Sequence, residues 1–349
     1  MGGDAMSDKK ILVILTGGTI CASTDAFGQR YSDAANVHII DGFERGNSPF
    51  AGRVHFDVIM PTDILSENMT VKTWNILLDA LLNQVDWNAY QGIIILHGTD
   101  TLAYTASLLS IVLAGVHIPV CLVSSQLPLN YENTNGHANF RASVELIMNN
   151  IAPNVYAVYR NSDGVIYTHY GSHLLQCANF SDDFFSADAM IVTDANNAKL
   201  QGKAYETGTF YLNKMKPLLP CVMRIMPYVG IDYAAFSLTG IRAIVHGTYH
   251  SDTVCVERKG GAGAYSSSSI LYLLDRCKSV GVQLFLAPCR PDAYKYESTG
   301  DILRAGAYHI SGVTNEMAYV KTLLGCALDL DEKQLSRFVN RSINHEMIY

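Results

Sequence analysis

A chain of 349 residues exceeds what one hydrophobic core usually serves, so two domains are expected. With 49% hydrophobic and 16% charged residues it has ample material for buried cores and does not have the make-up of a disordered chain. A formal charge of −7, with no Lys/Arg cluster longer than a pair, argues against a nucleic acid held by phosphate neutralisation and for a small molecule or a protein surface as partner.

Met6 reads as a natural start, and the residues ahead of it are set aside. The first element is ILVIL, Ile11 to Leu15, behind Asp8, Lys9 and Lys10; its branched apolar run predicts a strand buried on both faces of a parallel sheet. The run is too short for the apolar part of a secretory leader and no stretch reaches membrane-spanning length, so a cytoplasmic protein is expected. ILVIL stops in Thr16-Gly17-Gly18-Thr19. The glycines permit close approach to the main chain, and the threonines set hydroxyls at the carboxyl end of the strand, where ligands sit in open α/β sheets. A plain glycine turn whose hydroxyls satisfy local backbone groups also explains the segment.

Further strands are predicted at 54–60, 92–98, 118–125 and 154–160, with helices from Thr70, Asp100 and His137 between them. Trp74, Leu77, Leu78, Leu81 and Leu82 are read as one helical face. Strand and helix in turn predict a parallel sheet with helices on both faces. Pro217 and Pro220 punctuate a looser stretch, so residues 1–203 are read as a larger domain, 204–226 as a linker and 227–349 as a smaller α/β domain. In the last of these, strands at 241–247 and 282–288 flank a helix at SSILYLLDRCKSVG, and a final helix falls in DEKQLSRFVNRS. The eight cysteines are scattered without a CxxC pair, so no metal site is expected; several sit in apolar runs as small buried hydrophobes, in keeping with a reducing compartment.

A second threonine turn stands at HGTDTLAYTA, His97 to Ala106, where another apolar run stops at glycine and Thr99, Asp100 and Thr101 open a helix. Asp100 alone can be read as a helix cap. Two such turns, at the carboxyl ends of two strands of one sheet, can also face each other across one crevice.

TGGTI and HGTDTLAYTA together resemble the two signature segments of the asparaginase family of amidohydrolases, especially its cytoplasmic type I branch. The likeness continues through SSQLP (124–128), TNGHANF (134–140) and VTNEMAYVKTL (313–323), and so spans most of the chain. It implies a larger N-terminal, flavodoxin- or Rossmann-like parallel-sheet domain, a smaller C-terminal α/β domain and no cofactor. It further implies hydrolysis of the side-chain amide of asparagine, or of a related small amino-acid amide, through an acyl-threonine intermediate. Thr19 matches the nucleophile, Tyr31 in FGQRYSD the family's mobile tyrosine, and Thr99 with Asp100 the second threonine and its carboxylate partner. Gly18, Ser66, Glu67, Asp100 and Ser125 match substrate-binding positions, Ser66 holding the α-carboxylate while Glu67 and Asp100 flank the α-ammonium. Ser66 and Glu67 are equally readable as caps of the Trp74 helix. Family members pair as homodimers, often homotetramers, and Thr314 and Glu316 match that junction or, alternatively, an ordinary helix start.

Two departures stand out. Anchored on Gly171 and Phe185, the family's activating lysine falls on Gln176 and its arginine on His173; Asn135 stands where the family usually has aspartate. His169 or His173 could supply the missing group, the substrate could differ, or the protein could bind without turnover. The alternatives to a hydrolase are therefore an impaired amino-acid-binding protein, or the amidase component of a tRNA-dependent amidotransferase. A phosphate loop is excluded, because TGGTI lacks the Gly-Lys-Ser/Thr ending.

Overall fold

The computed structural model describes residues 9–24, 30–32, 38–187, 191–192, 211–259, 264–290 and 296–348. The chain divides into two compact units, Met1–Lys214 and Met215–Tyr349. The segment read as a linker, 204–226, lies partly outside the described residues, and Val222–Ile225 within it forms a strand.

The first unit opens with β1 (Lys9–Leu15), a short helical turn at Thr19–Cys21, and a hairpin of β2 (Ala22–Thr24) and β3 (Arg30–Ser32). Then follow α1 (His38–Glu44), β4 (Val54–Ile59), α2 (Val71–Asn83), β5 (Gly92–Leu96) and α3 (Leu102–Val112). After these come β6 (Val120–Val123), α4 (Gly136–Met148), β7 (Val155–Arg160), β8 (Ile166–Tyr170) and β9 (Ile191–Val192). The strand order is β4-β1-β5-β6-β7-β8-β9. From β4 to β7 every pair is parallel, while β8 and β9 join antiparallel, an edge the alternating sequence pattern did not announce.

Strand alternation explains the burial. Ile11, Val13, Ile94, Cys121 and Val123 share a cluster with Ile39 and Phe43 of α1 and Phe140, Val144 and Ile147 of α4. The intervening Leu12, Ile14, Ile93, Ile95 and Leu122 are buried too, so the opposite face is also covered. Every residue of α3 except Tyr104 is buried. On α2, Trp74, Leu77, Leu78 and Leu81 are buried as read from the sequence, but Leu82 is 42% exposed, because Ala80 and Thr73 complete the inward stripe instead.

Because the chain passes from β1 to β4 on one side and then to β5 on the other, the connections diverge between β1 and β5. Such a divergence, at the carboxyl ends of the strands, is the place where open α/β sheets bind ligands.

In the second unit a four-stranded parallel sheet has the order β10 (Val222–Ile225), β11 (Ala243–His246), β14 (Gln283–Cys289), β15 (Tyr308–Ser311), with β12 (Arg258–Lys259) and β13 (Ala264–Tyr265) as a separate antiparallel pair. Its helices are α5 (Ile270–Val280), α6 (Glu297–Arg304), α7 (Asn315–Ala327) and α8 (Glu332–Asn340). Ser269 caps the start of α5 and the left-handed Gly281 ends it. A buried ion pair pins the C-terminal segment: Lys321 Nζ of α7 donates to Glu346 Oε1 at 2.6 Å, and Glu346 accepts from the main-chain N–H groups of Ile343 and Asn344.

Candidate active site

The main chain ties the strand ends together. Thr16 Oγ1 donates to the Leu96 carbonyl at 2.8 Å, which locks the end of β1 to the end of β5. Gly18 N–H donates to the Ile64 carbonyl at 2.7 Å, and Ile64 N–H donates to the Thr16 carbonyl at 3.1 Å, so the segment after β4 is stitched to the same turn. A Cβ on Gly18, whose φ is +83°, would lie 2.4 Å from the Cα of Gly98, and one on Gly98 would lie 2.5 Å from Ser66 Oγ. Two backbones and the Ser66 side chain therefore meet where only glycine fits. Thr19 and Thr99 directly follow the two touching glycines, and both are half-buried.

Ser66 and Asp100 form the polar heart of this junction. Ser66 Oγ donates to Asp100 Oδ2 at 3.0 Å and accepts from Asp100 N–H at 3.2 Å, while Thr101 Oγ1 donates to the Ser66 carbonyl at 2.9 Å. These bonds bear on the capping reading of both residues. The cap of α2 is Thr70, which accepts from Thr73 N–H, so Ser66 does not cap that helix. The residue at the start of α3 is Thr101, and it makes no side-chain cap, so Asp100 is not a cap either. Glu67 follows Ser66 in a short helical turn and is exposed.

A buried polar rail that the sequence reading missed supports the second turn. Trp74 Nε1 of α2 donates to Thr105 Oγ1 of α3 at 3.0 Å, and Thr105 Oγ1 meets His97 Nε2 at 2.9 Å. His97 Nδ1 lies 2.7 Å from the Gly98 carbonyl. A carbonyl only accepts, so Nδ1 carries the proton and Nε2 accepts from Thr105. Burial pushes the His97 pKa down to about 4, so the ring is neutral near pH 7. Its signal in the sequence was a histidine ending an apolar strand with a threonine eight residues on.

Beside Thr99 and Asp100 opens a cavity of about 390 Å³, also lined by Gln126, Tyr159, Gln176 and Cys177. Gln176 Nε2 donates to the main-chain carbonyl of Asp100, and its Oε1 is buried without a partner. Neither His169 nor His173 is among the lining residues. His169 is fully buried, with Nδ1 2.8 Å from Ser186 Oγ, and burial lowers its pKa to about 4.

Ser125 is buried in the loop after β6, its hydroxyl bonded to the Leu127 carbonyl and within 2.9 Å of Thr134 Oγ1. Tyr31 lies on β3, paired with Ser23; its side chain is outside the described residues. Asn135 uses both ends of its amide: Oδ1 accepts from Gln126 N–H at 3.1 Å and Nδ2 donates to the Arg160 carbonyl at 2.9 Å. An ionised aspartate could not make the second bond. In the second unit Thr314 caps α7 through Met317 N–H, and the buried Glu316 lies 3.8 Å from Arg224. Among the described residues no group of three or more His, Cys, Asp or Glu could hold a metal ion.

Residues 10–201 match the family profile "Asparaginase, N-terminal". The chain is 24% identical over 356 residues to an L-asparaginase of Thermococcus kodakarensis, covering 97% of this chain and 99% of that one. It is 29% identical over 184 residues to a component of the glutamyl-tRNA(Gln) amidotransferase of Methanococcus maripaludis, spanning 51% of this chain and 42% of that protein. Among solved structures, the T. kodakarensis L-asparaginase superposes with a TM-score of 0.75 at 20% identity, covering 97% of this chain and 99% of that one. L-asparaginase I of Vibrio cholerae gives 0.72 at 22% identity, covering 98% and 100%. At those identities the superpositions establish the fold. The chain belongs to the asparaginase family and is an asparaginase-like amidohydrolase.

Proposed function

We propose that the protein hydrolyses the side-chain amide of L-asparagine, or of a closely related amino-acid amide, to the free acid and ammonia through an acyl-threonine intermediate. The observation that carries this reading is the contact of two threonine-bearing turns at Gly18 and Gly98, with the Ser66–Asp100 bond beside it. Thr19 Oγ attacks the amide carbon and its proton leaves toward the Thr99–Asp100 side or Tyr31. Ammonia departs as the C–N bond breaks, and water then cleaves the ester. A hydroxyl needs a neighbour to take its proton, a role open to the Thr99–Asp100 side or to Tyr31. Ser66 donates to the substrate α-carboxylate, while Asp100 and Glu67 take the α-ammonium; Gly18 and Ser125 shape the surrounding wall.

Gln176 brings no positive charge to this machinery. Each ~1.4 kcal/mol of transition-state stabilisation is tenfold in rate. Turnover is therefore lower than with a lysine there, by about tenfold, because Asp100 is exposed and a charge beside it is screened by solvent. The same observation favours a second reading, an amino-acid-binding protein with little turnover. Neither reading draws on the histidines, since neither His169 nor His173 lines the cavity beside Thr99 and Asp100.

We place the working protein in the cytoplasm as a homodimer or homotetramer. Among the described residues no helix is long and apolar enough to cross a membrane, and a Campylobacter jejuni structural neighbour is called a probable cytoplasmic L-asparaginase.

The test is ammonia release from asparagine, glutamine and related amides by purified protein, wild type against Thr19→Ala. Release by wild type and none by the variant is expected. Equal release by both overturns the nucleophile, and no release from any amide alongside tight amino-acid binding selects the second reading.

A further inference from the structure

A cavity of about 590 Å³ opens in the first unit between α1, the loop from β6 to α4 and the first turns of α4, and it shares no lining residue with the cavity beside Thr99 and Asp100. That volume is in the range of small-molecule sites. Hydrogen bonds fix its walls. Tyr131 N–H donates to the Pro128 carbonyl at 3.1 Å and Thr134 N–H to the Tyr131 carbonyl at 3.2 Å, which folds the loop into consecutive turns. His137 of α4 reaches back to the same loop, its Nε2 3.3 Å from the Leu129 carbonyl. The His137 ring also lies against α1, so close that a Cβ on Gly42 would stand 2.8 Å from it.

The lining carries more positive than negative charge. Arg141 of α4 and Arg160 at the end of β7 both border the cavity, against a single carboxylate, Glu132. Arg160 is anchored: its N–H donates to Asn139 Oδ1 at 2.8 Å, its carbonyl accepts from Asn135 Nδ2 at 2.9 Å, and its Nη2 donates to the Thr134 carbonyl at 3.3 Å. Among the described residues the ion-paired arginines are Arg45, Arg224, Arg242, Arg290 and Arg304, so neither cavity guanidinium has a carboxylate partner. The start of α4 adds donors at the same wall, because Asn135 spends its amide on Gln126 and Arg160 and makes no side-chain cap. A planar carboxylate is satisfied by the fork of one guanidinium, whereas a tetrahedral phosphate presents oxygens in several directions and matches donors on separate elements. Tyr131, 42% exposed, gives the cavity an aromatic lip for the body of a ligand.

We propose that this cavity binds a small phosphate ester, its phosphate held by Arg141 and Arg160 and its body lying against Tyr131, with Glu132 accepting from a hydroxyl or amine of that body. The site stands apart from the hydrolytic reading, since it uses none of the residues assigned to amide cleavage and its occupation makes or breaks no covalent bond. Because Arg141 is exposed and Arg160 half-buried, part of the attraction is screened by solvent ions, and binding weakens as salt is added.

The test is calorimetric titration of the full chain with adenosine monophosphate, inorganic phosphate, adenosine and aspartate as probes. Saturable binding of adenosine monophosphate, weaker binding of inorganic phosphate and none of adenosine are expected. Arg141→Gln and Arg160→Gln should each weaken binding of the monophosphate by roughly tenfold or more, while Thr19→Ala should bind it as the wild type does. Arg141 is exposed and bonded to no other side chain, so its replacement keeps the fold and gives a clear answer even where Arg160→Gln disturbs the loop. The proposal is overturned if neither phosphate compound binds at millimolar concentration, if adenosine binds as tightly as its monophosphate, or if Arg141→Gln binds like wild type. It is equally overturned if aspartate, and not phosphate, gives the binding that Thr19→Ala keeps and Arg141→Gln loses.

Discussion

Gln176 holds the main-chain carbonyl of Asp100 with its amide N–H and buries its own Oε1 without a partner. A lysine at this position would keep a donor for the carbonyl, remove the orphaned oxygen and set a positive charge beside the Asp100 carboxylate. Gln176→Lys is therefore expected to raise kcat/KM for amide hydrolysis at least tenfold, equivalent to about 1.4 kcal/mol or more of transition-state stabilisation. Steady-state ammonia release decides the matter, and an unchanged or lower value shows that charge at 176 does not limit the reaction.

Ser66→Ala removes the hydroxyl that donates to Asp100 Oδ2 and accepts from Asp100 N–H. A hydrogen bond to a charged group contributes about 1.5–3 kcal/mol. The expected result is a KM for asparagine raised roughly tenfold or more, with a smaller fall in kcat. A KM identical to wild type would mean that Ser66 supports the turn without meeting the substrate.

Much of the first unit was legible in the sequence because its parallel strands are buried on both faces. Ile11–Leu15 and Gly92–Leu96 read as unbroken apolar runs, and the glycine-threonine turns at their ends mark the crevice. Less legible was Ile166–Tyr170, an edge-side strand whose Tyr-Thr-His-Tyr ending carries no apolar run. Val222–Ile225 is only four residues long, lies between Pro220 and Pro227, and carries Arg224 within it. Asn135 looked like a lost charge, yet its position calls for one donor and one acceptor, which only the fold reveals.

Three buried histidines predict the acid limb of stability. Burial is the first cause of lowering His97, His169 and His246 from 6.5 to about 4. The unfolded chain binds these protons first, so their contribution is complete above about pH 6.5 and is lost as pH falls toward 4, by about 3 kcal/mol each as an order of magnitude. Urea unfolding at pH 7 and pH 5 should show a marked loss at the lower pH. His97→Gln and His246→Gln should each flatten that dependence, whatever they do to stability at pH 7. A slope unchanged in both variants contradicts the assignment.

Glu346→Gln strands the fully buried Lys321 ammonium, which is 0% exposed and 2.6 Å from the carboxylate it would lose. Removing one partner of a buried pair costs about 3–5 kcal/mol, whereas replacing both by apolar residues is often far milder. Denaturant titration should thus rank wild type and Lys321→Met/Glu346→Leu above Glu346→Gln. If the single variant proves as stable as wild type, the C-terminal segment is not pinned by this pair.

Gly18 and Gly98 approach so closely that no side chain stands between them. The spacing of the two threonine turns is therefore fixed by peptide groups, which every residue type shares, and not by the choice of packing partners. A chain can exchange four fifths of its side chains, as this one has relative to a structural neighbour at 20% identity, and still keep the fold. What such drift can change is the surrounding cast, such as the residue at 176. On the proposed function, side-chain drift of this kind is expected to tune the rate and the choice of amide while the two glycine turns stay in contact.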